Sequence, residues 1–464
     1  MMDKLQAIVS KLKNKEYTFK KDEIDPFCTD WRGKYHGQAK LVIFPQTLDN
    51  LISVVKKCNK YSIKIVPQGG NTSLVGGAVP IRDNYEVILS LKKFDKIMKF
   101  DPINSSIQLE AGCILENIQN FVQKKGFYFP LSMGSRGICQ IGGNISTNAG
   151  GLNVIKYGNI RSNILGLEAV TGDGNLFSDL KEVKKNNTGY DLKHLLVGSE
   201  GTLGIITKVN FKLFPLPRDK RVIFVSFRNL KNLLIFFSKM RDFFNELISS
   251  FELINFNSLD LVIKSQKLSK LFKDTEYYAL VELSSLTQDE SWTSNIEDIL
   301  YKISDLCNEI IISKSIQENK NLWDYREMIP IAERKIHSCI KHDISVPLSN
   351  MEKFISSTEK SIKSLDKSFA VINFGHLGDN NLHYNVYSKE SSNNDKLIKM
   401  SKKISDIVFE HVEMLGGSFS AEHGIGQQRR KELLKFKDRD EVARMQKIKK
   451  IFDPNGILNP GKVF

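Results

Sequence analysis

The sequence feature that most constrains the fold is the stretch at residues 371–386, which runs V-I-N-F-G-H-L-G-D-N-N-L-H-Y-N-V. An apolar run is followed by a Gly-Asp-Asn-Asn cluster and then by a run in which apolar and polar residues alternate. This order is typical of a strand, a tight turn and a second strand. We therefore expect an antiparallel hairpin centred on Asp379 and Asn380.

Two of the 8 histidines of the chain lie in this hairpin. The predicted register places His376 opposite His383, and directly opposed residues share one face with Cβ atoms roughly 4.5–5.5 Å apart. That spacing suits two imidazoles on one metal ion. Asn385 returns to the same face, since side chains alternate along a strand. The alternative is a polar hairpin tip with two surface histidines, but two of so few histidines on one face favour a metal or catalytic role.

The length, net charge and cysteine content limit the class of protein. A chain of 464 residues is too long for one core, so two domains are expected. The net charge of +14 comes from lysines dispersed singly and in pairs, without a nucleic-acid motif, so no nucleic-acid partner is expected. The six cysteines show no C-x-x-C spacing, which predicts reduced, buried thiols.

The amino terminus predicts a Lys-rich amphipathic helix over residues 1–24. It lacks the apolar core of a signal peptide and carries acidic residues that a transit peptide avoids. No apolar run reaches the roughly 18 residues of a membrane span. These features predict a cytoplasmic protein without a transmembrane segment, with the mitochondrial matrix left open for a eukaryotic source.

Two uncharged loops are rich in glycine, P-Q-G-G-N-T-S-L-V-G-G-A-V-P (67–80) and I-C-Q-I-G-G-N-I-S-T-N-A-G-G-L-N (138–153). Consecutive backbone N–H groups in such loops form concavities that bind anions, and a diphosphate is the natural guest. Neither G-x-G-x-x-G nor G-x-x-x-x-G-K-[ST] occurs in the chain, which removes the main support for Rossmann or P-loop chemistry.

These loops, with N-T-G-Y-D-L (187–192), S-E-G-T-L-G-I-I-T (199–207) and N-P-G-K-V (459–463), resemble one family. It is the FAD-binding flavoprotein family of the vanillyl-alcohol-oxidase type, in its D-2-hydroxyglutarate dehydrogenase, D-lactate dehydrogenase and glycolate oxidase subunit branch. The resemblance implies an α+β fold class: a vanillyl-alcohol-oxidase-type FAD-binding domain plus a separate α+β substrate domain with an antiparallel sheet. Relatives that bind FAD covalently use a histidine in the first loop, where this chain has Asn71, so non-covalent FAD is expected. The residues expected near FAD are Pro67, Gly69, Gly70, Asn71, Thr72, Gly142, Gly143, Asn144, Ser146, Thr147, Gly150, Gly151, Glu200, Gly204, Ile206 and Asn459.

The proline-bracketed stretch F-P-L-P-R (214–218) predicts a domain boundary, and strands alternate with helices after it. Four segments follow from this pattern. They are an N-terminal helical segment (1–38), the FAD-binding domain (39–218), a substrate and metal-binding domain (219–417), and a C-terminal segment (418–464) that returns to the FAD domain, as in the family.

A third metal ligand is expected in S-F-S-A-E-H-G-I-G-Q-Q-R-R (418–430), where Glu422 and His423 lie between glycines. Two histidines and one carboxylate are typical of a catalytic zinc centre, although manganese or ferrous iron would accept the same set. The resemblance implies that His376, His383 and Glu422 bind the metal. It also implies that His423 is the base that takes the hydroxyl proton of a 2-hydroxy acid while a hydride passes to the flavin N5.

Arg326 in N-L-W-D-Y-R-E-M-I-P and Lys341 in I-K-H-D-I-S-V-P match the family's substrate-carboxylate residues, and Asn385 is expected beside them. One position departs from the pattern: Pro330 stands where the D-2-hydroxyglutarate enzymes carry a threonine, so one substrate hydrogen bond is missing or replaced. The predicted substrate is D-2-hydroxyglutarate, with D-lactate or glycolate as the alternative. An electron-transfer flavoprotein or the quinone pool is the expected electron acceptor, and a homodimer is left open. A metallohydrolase is the rival enzyme class, but it leaves the glycine-rich loops unexplained.

Overall fold

The computed structural model describes residues 2–81, 86–287 and 291–464. The chain forms two compact units. Unit 1 comprises Met1–Gly150, Gly158–Pro215 and Glu422–Phe464. Unit 2 comprises Gly151–Tyr157 and Leu216–Ala421. Each unit has its own sheets and its own core.

Unit 1 contains a mixed four-stranded sheet, an antiparallel five-stranded sheet and a short strand pair. The mixed sheet has the order β1-β2-β4-β3 and is built from β1 (Tyr17–Thr18), β2 (Ala39–Ile43), β3 (Ile65–Gln68) and β4 (Glu86–Ser90). The five-stranded sheet has the order β5-β6-β10-β8-β9 and is built from β5 (Ile97–Asp101), β6 (Ser106–Glu110), β8 (Ile164–Val170), β9 (Leu176–Asp179) and β10 (Ile205–Lys212). The pair consists of β7 (Phe127–Tyr128) and β11 (Phe214–Pro215).

The helices of unit 1 are mostly short. They are α1 (Met2–Val9), α2 (Lys21–Ile24), α3 (Leu48–Tyr61), α4 (Leu115–Gln123), α5 (Ile141–Ser146), α7 (Ile160–Asn163), α8 (Lys193–Leu196), α17 (Arg430–Phe436) and α18 (Arg439–Phe452). Helix α3 begins where the Thr47 side chain accepts the Asn50 N–H, and it ends at Ser62 in the left-handed region. Its apolar stripe enters the core of unit 1 with residues from both larger sheets.

The prediction of one helix over residues 1–24 is wrong. A 3-10 turn at Asn14–Glu16 and strand β1 separate α1 from α2. The Glu16 carboxylate is buried and accepts the backbone N–H groups of Lys13 and Gln46. These hydrogen bonds hold the chain in a turn where helical periodicity alone predicts continuation.

Unit 2 is organised around one antiparallel sheet, as the sequence predicts. Its strand order is β15-β12-β14-β13-β18-β19-β16, and β17 also pairs with β19. The strands are β12 (Asp219–Phe227), β13 (Ile248–Asn255), β14 (Tyr277–Ser285), β15 (Glu309–Ile312), β16 (Cys339–Ile340), β17 (Asp343–Ser345), β18 (Phe369–His376) and β19 (Asn381–Ser388).

The helices of unit 2 connect these strands. They are α6 (Val154–Tyr157), α9 (Leu230–Phe244), α10 (Phe256–Gln266), α11 (Ser291–Lys302), α12 (Ile316–Glu327), α13 (Ile329–Ala332), α14 (Leu348–Leu365), α15 (Asn394–Lys399) and α16 (Ser401–Met414). Residues of α10, α12 and α13 pack with β12, β13, β14 and β18 in one apolar cluster. Helix α12 is thereby fixed against the sheet beside the hairpin.

The hairpin forms, but its predicted register is wrong by two residues. His383 lies opposite Phe374, whereas the sequence pattern predicts His376 opposite His383. The turn is a 3-10 turn at Leu377–Asp379 followed by Asn380 in the left-handed region. Gly375 makes the close approach feasible, because a Cβ there would come within 2.6 Å of the Asn381 carbonyl oxygen. A shift of two residues preserves the face, so both histidines still point to the same side of the sheet.

The cysteines are free thiols, and four of them are buried: Cys28, Cys58, Cys113 and Cys139. Burial raises the pKa of the Cys58 and Cys113 thiols to about 12. Such groups are unreactive, in agreement with the prediction of reduced thiols. Across the residues that the structure covers, no helix combines the length and the apolar character needed to cross a membrane.

Candidate functional site

The two glycine-rich loops lie against each other in unit 1. A Cβ on Gly70 would come within 2.1 Å of the Ile138 carbonyl oxygen, and one on Gly69 would come within 3.3 Å of the Gln140 side chain. Only glycine allows the backbones to approach this closely. The structure thus brings the first expected cofactor loop, which follows β3, next to the second, which leads into α5.

A chain of hydrogen bonds joins these loops to two distant predicted residues. The Asn459 side-chain amide donates to the carbonyl oxygens of Gly77 and Glu200, at 2.9 and 2.7 Å. The Glu200 N–H in turn donates to the Ser146 carbonyl oxygen at 2.7 Å. The first loop, the second loop, Glu200 and Asn459 therefore form one connected site.

Four buried side-chain oxygens in this part of unit 1 accept no hydrogen bond from any described residue: those of Asn71, Gln140, Asn144 and Asn459. A buried acceptor without a donor costs about 1–3 kcal/mol, so each of these oxygens indicates a missing partner. Ribityl hydroxyls and a flavin ring N–H are donors of the required kind, and glycine-rich backbone suits the diphosphate. The residues present therefore fit FAD.

The Glu200 carboxylate holds the loop that follows His423. Its two oxygens accept the N–H groups of Ile425 and Gly426, each at 2.7 Å. Burial raises the pKa of Glu200 to about 7, although these two hydrogen bonds oppose the rise. Glu200 therefore contacts the C-terminal loop through its side chain and the cofactor loops through its backbone.

In unit 2, the buried carboxylate of Glu252 joins two predicted site residues. Its Oε1 lies 2.7 Å from Nδ1 of His376, and its Oε2 accepts the Nε–H of Arg326 at 2.6 Å. Burial by itself would raise the pKa of Glu252, but its contacts with His376 and Arg326 lower it. The Arg326 guanidinium also lies over the Phe374 ring, 4.7 Å from its centroid.

A second buried carboxylate, Glu333, joins the other two predicted substrate residues. Its Oε2 accepts from Nζ of Lys341 at 2.5 Å, and its Oε1 accepts from Nδ2 of Asn385 at 2.6 Å. The Asn385 side-chain oxygen accepts the N–H of His342 at 3.2 Å. The Asn385 amide is therefore fixed in one orientation.

The second histidine of the hairpin lies close to the first, with ring centroids of His376 and His383 separated by 5.7 Å. His383 faces Asp343 across the strand pair β17–β19, and its Nδ1 lies 3.8 Å from the Asp343 carboxylate. Asp343 is itself held by the Asn381 side-chain amide at 2.8 Å. His376 is thus held by a hydrogen-bonded carboxylate, an arrangement typical of metal-binding histidines, and His383 lies near a second carboxylate.

The predicted residues divide between the two units. His376, His383, Arg326, Lys341 and Asn385 belong to unit 2. Glu422 and His423 are the first two residues of the last segment of unit 1, and both are half-buried. Most of the expected cofactor residues belong to unit 1, whereas Gly151 opens the short segment of unit 2 that contains α6.

Glu252 and Glu333 are the site residues that the sequence patterns do not predict. Each makes its contacts with residues far away in the chain, so no local motif marks it. A signal exists for Glu252, which is the one charged residue of strand β13, I-S-S-F-E-L-I-N. A charge inside a buried strand requires a partner.

Two family profiles match the chain. One is the FAD binding domain, over residues 39–179. The other is the C-terminal domain of FAD linked oxidases, over residues 216–463. The fold and the site thus define a two-domain flavoprotein. The chain belongs to the family of FAD-linked oxidases, and the predicted class, an FAD-linked oxidoreductase, is confirmed.

Two relatives and one solved structure illustrate the similarity. The mitochondrial D-2-hydroxyglutarate dehydrogenase of Arabidopsis thaliana is 37% identical over 447 residues, which cover 96% of this chain and 78% of that protein. The D-2-hydroxyglutarate–pyruvate transhydrogenase of Saccharomyces cerevisiae is 34% identical over 457 residues, or 95% of this chain and 90% of that protein. The structure of p-cresol methylhydroxylase superposes with a TM-score of 0.78 at 16% identity and covers 100% of this chain and 96% of that one. The predicted family and its vanillyl-alcohol-oxidase-type fold are confirmed.

Proposed function

We propose that this chain is a dehydrogenase that oxidises a D-2-hydroxy acid, D-2-hydroxyglutarate in the first place, to the 2-oxo acid with non-covalently bound FAD. One observation carries the proposal. His376, Arg326, Lys341 and Asn385 are joined in pairs by Glu252 and Glu333 on one face of a single sheet. The two cations suit a substrate with two carboxylates better than D-lactate or glycolate, which have one.

The proposed domain assignment is an N-terminal helical segment (1–38), a domain that holds FAD (39–218) and a domain that holds the substrate and the metal (219–417). The segment 418–464 is assigned to the FAD side. The orphaned side-chain oxygens of Asn71, Gln140 and Asn144 support a cofactor in residues 39–218, and that of Asn459 supports the assignment of residues 418–464 to the FAD side. The paired cations support an anionic substrate in residues 219–417.

A divalent metal, zinc in the first place, is proposed to bind to His376, His383 and Glu422. Nδ1 of His376 donates to Glu252, so in this proposal His376 would bind the metal through Nε2. The proposal of Glu422 as third ligand is supported by its neighbour in the chain: the Ala421 N–H donates to the Asp343 carbonyl oxygen at 3.3 Å, and Asp343 pairs with His383. A metal at these residues would lower the pKa of the substrate hydroxyl.

The roles of the protein side chains follow from their donors and acceptors. Arg326 and Lys341 bind the substrate carboxylates, and Asn385 donates an amide N–H beside them. The imidazole of His423 takes the hydroxyl proton. As the Cα hydrogen departs with its electron pair, the C–O bond becomes a carbonyl, and FAD supplies the acceptor for that hydride.

Anaerobic titration of the FAD-loaded protein tests this function. D-2-Hydroxyglutarate should bleach the flavin absorbance with a higher kcat/KM than D-lactate or glycolate, and L-2-hydroxyglutarate should have no effect. A flavin that none of these acids reduces would refute the proposal. Pyruvate should be tried as reoxidant beside an electron-transfer flavoprotein and a quinone, because the yeast relative is named a transhydrogenase for pyruvate. The cytoplasmic location and the homodimer stay predictions, and the Arabidopsis relative is named as mitochondrial.

A further inference from the structure

We propose that Glu252 and Glu333 are positioning residues that fix the substrate-binding side chains in two rigid pairs. This inference rests on the proposed function, since it assigns roles to residues that contact neither FAD nor the reacting atoms in that mechanism. Glu252 couples Arg326 to His376, and Glu333 couples Lys341 to Asn385. Each glutamate thereby determines which donors of its two partners remain for a ligand.

Glu252 restricts how Arg326 binds a carboxylate. The Glu252 side chain is fully buried, and the Nε–H of Arg326 is committed to its Oε2. Within the described residues, the two terminal nitrogens of Arg326 have no hydrogen-bond partner in the protein. A substrate carboxylate therefore meets Arg326 end-on, through the two terminal nitrogens, rather than through Nε and one of them.

The same carboxylate orients the proposed metal ligand. Because a carboxylate only accepts, Nδ1 of His376 donates its proton to Glu252, and a metal held by His376 would therefore bind through Nε2. Arg326 and His376 come from helix α12 and strand β18, and Glu252 on β13 is the residue that both contact. A displacement of Glu252 would therefore move the carboxylate clamp and the metal ligand together.

Glu333 has the equivalent arrangement without a metal ligand. It lies in the 3-10 turn Glu333–Lys335, directly after α13, and its side chain is buried. Lys341 has three N–H donors and gives one to Glu333, while its side chain stays 42% exposed. Asn385 is held on both sides, by Glu333 and by the His342 N–H, so the remaining N–H of its amide has a set direction.

Net stabilisation is a weak explanation for these buried carboxylates. A buried ion pair gains little over apolar packing, because desolvation offsets the attraction. Glu282, in the same sheet, shows the structural alternative: its carboxylate contacts Lys220, Ser249 and Trp323, none of which is a candidate site residue. Glu252 and Glu333 differ from it in that every one of their four carboxylate oxygens contacts a predicted metal or substrate residue.

The experiment compares Glu252→Gln, Glu333→Gln and the matched control Glu282→Gln as FAD-loaded full-length proteins. Glutamine replaces one accepting oxygen with an NH₂ group that only donates, so each variant keeps one donating partner and loses the hydrogen bond to the other. Zinc content after dialysis against a zinc buffer gives the metal affinity. Anaerobic flavin reduction by D-2-hydroxyglutarate gives the substrate dissociation constant and the limiting rate separately.

Glu252→Gln should weaken zinc binding about 10–100-fold and also raise the substrate dissociation constant. Glu333→Gln should raise the substrate dissociation constant about tenfold while zinc content and limiting rate stay unchanged. Glu282→Gln should change none of the three. If Glu252→Gln does not accumulate as folded protein, Glu252→Asp replaces it, since a shorter carboxylate cannot reach both partners.

The inference would be overturned if Glu252→Gln and Glu333→Gln both had the zinc affinity and the substrate dissociation constant of the wild type. It would also be overturned if Glu282→Gln lost as much zinc affinity and substrate affinity as they do. Failure of the proposed function is a separate result. It would appear as a wild-type flavin that no 2-hydroxy acid reduces. Zinc retention would still distinguish Glu252→Gln from the other two variants in that case.

Discussion

Nδ1 of His376 lies 2.7 Å from Oε1 of Glu252, across the neighbouring strands β18 and β13. The two residues are separated by 124 positions in the chain, and both are almost fully buried. A buried imidazole held by a carboxylate at one ring nitrogen is prepared to bind a ligand at the other.

His376→Ala should therefore abolish stoichiometric zinc binding while FAD stays bound, because the expected cofactor contacts belong mainly to the other unit. Elemental analysis and the visible flavin spectrum measure the two quantities on one sample. His411→Ala is the matched control, since His411 lies in α16 and its Nδ1 contacts the Ile407 carbonyl oxygen. Full zinc content in His376→Ala would show that the metal site is misplaced.

His423→Asn should retain FAD and zinc but slow the limiting rate of flavin reduction by about 10²–10⁴-fold, the usual contribution of a general base. Asparagine has a similar size and cannot take the proton near neutral pH. Stopped-flow reduction by D-2-hydroxyglutarate measures the rate, with His411→Asn as the control. An unchanged limiting rate would exclude His423 as the base.

Arg326→Lys should raise KM for D-2-hydroxyglutarate about tenfold, with a smaller change in kcat. Lysine keeps the charge beside Glu252 but lacks the planar fork that binds a carboxylate through two nitrogens. Steady-state kinetics with an artificial acceptor separate the two constants. Arg221→Lys serves as the control, because Arg221 is paired with Asp219 away from the hairpin. Equal KM values in wild type and Arg326→Lys would reject the clamp.

Pro330→Thr should lower KM for D-2-hydroxyglutarate and leave KM for D-lactate unchanged. The threonine hydroxyl restores the hydrogen bond that the family pattern implies, worth about 1 kcal/mol, or roughly fivefold. Pro330 occupies the second position of α13, where the backbone N–H has no helical partner, so the helix does not depend on proline. A parallel fall of both KM values would mean that the position does not discriminate between the two acids.

The raised pKa of Glu200 should make the stability of the folded chain depend on pH. Its pKa is raised from 4.5 to about 7 in the folded chain, so the folded state keeps a proton that the unfolded state loses first. Its contribution is therefore complete below pH 4.5 and declines as the pH rises to 7. Thermal unfolding of wild type and Glu200→Gln with excess FAD tests the sign: the Tm advantage of wild type should shrink between pH 5 and 7 and stay constant above. An advantage that grows with pH would contradict the assignment.

The sequence predicted the parts of this molecule that depend on local patterns. The hairpin and the antiparallel sheet of unit 2 follow from periodicity and turn residues. The register failed because a 3-10 turn at Leu377–Asp379 takes up residues that a tight turn would leave in the strands. The predicted face of each side chain is nevertheless correct, because a register shift of two residues leaves every side chain on the same side of the sheet.

The two linking carboxylates were beyond the reach of local patterns. Glu333 and Asn385 are separated by 52 positions, and Glu252 and Arg326 by 74. Such pairs depend on how helix α12 and the turn after α13 pack on the sheet, which no short motif encodes. A charged residue in a buried strand indicates that a partner exists, but it does not identify that partner.

The distribution of the free thiols has a practical consequence. Cys28, Cys58, Cys113 and Cys139 are buried in unit 1, whereas Cys307 and Cys339 are partly buried in unit 2. Their alkylation under native conditions requires local opening, and the peptide that carries the label tells which unit opened. The native cysteines therefore report the local opening of each unit separately. Mass spectrometry of the labelled peptides can measure the rate of that opening without any introduced probe.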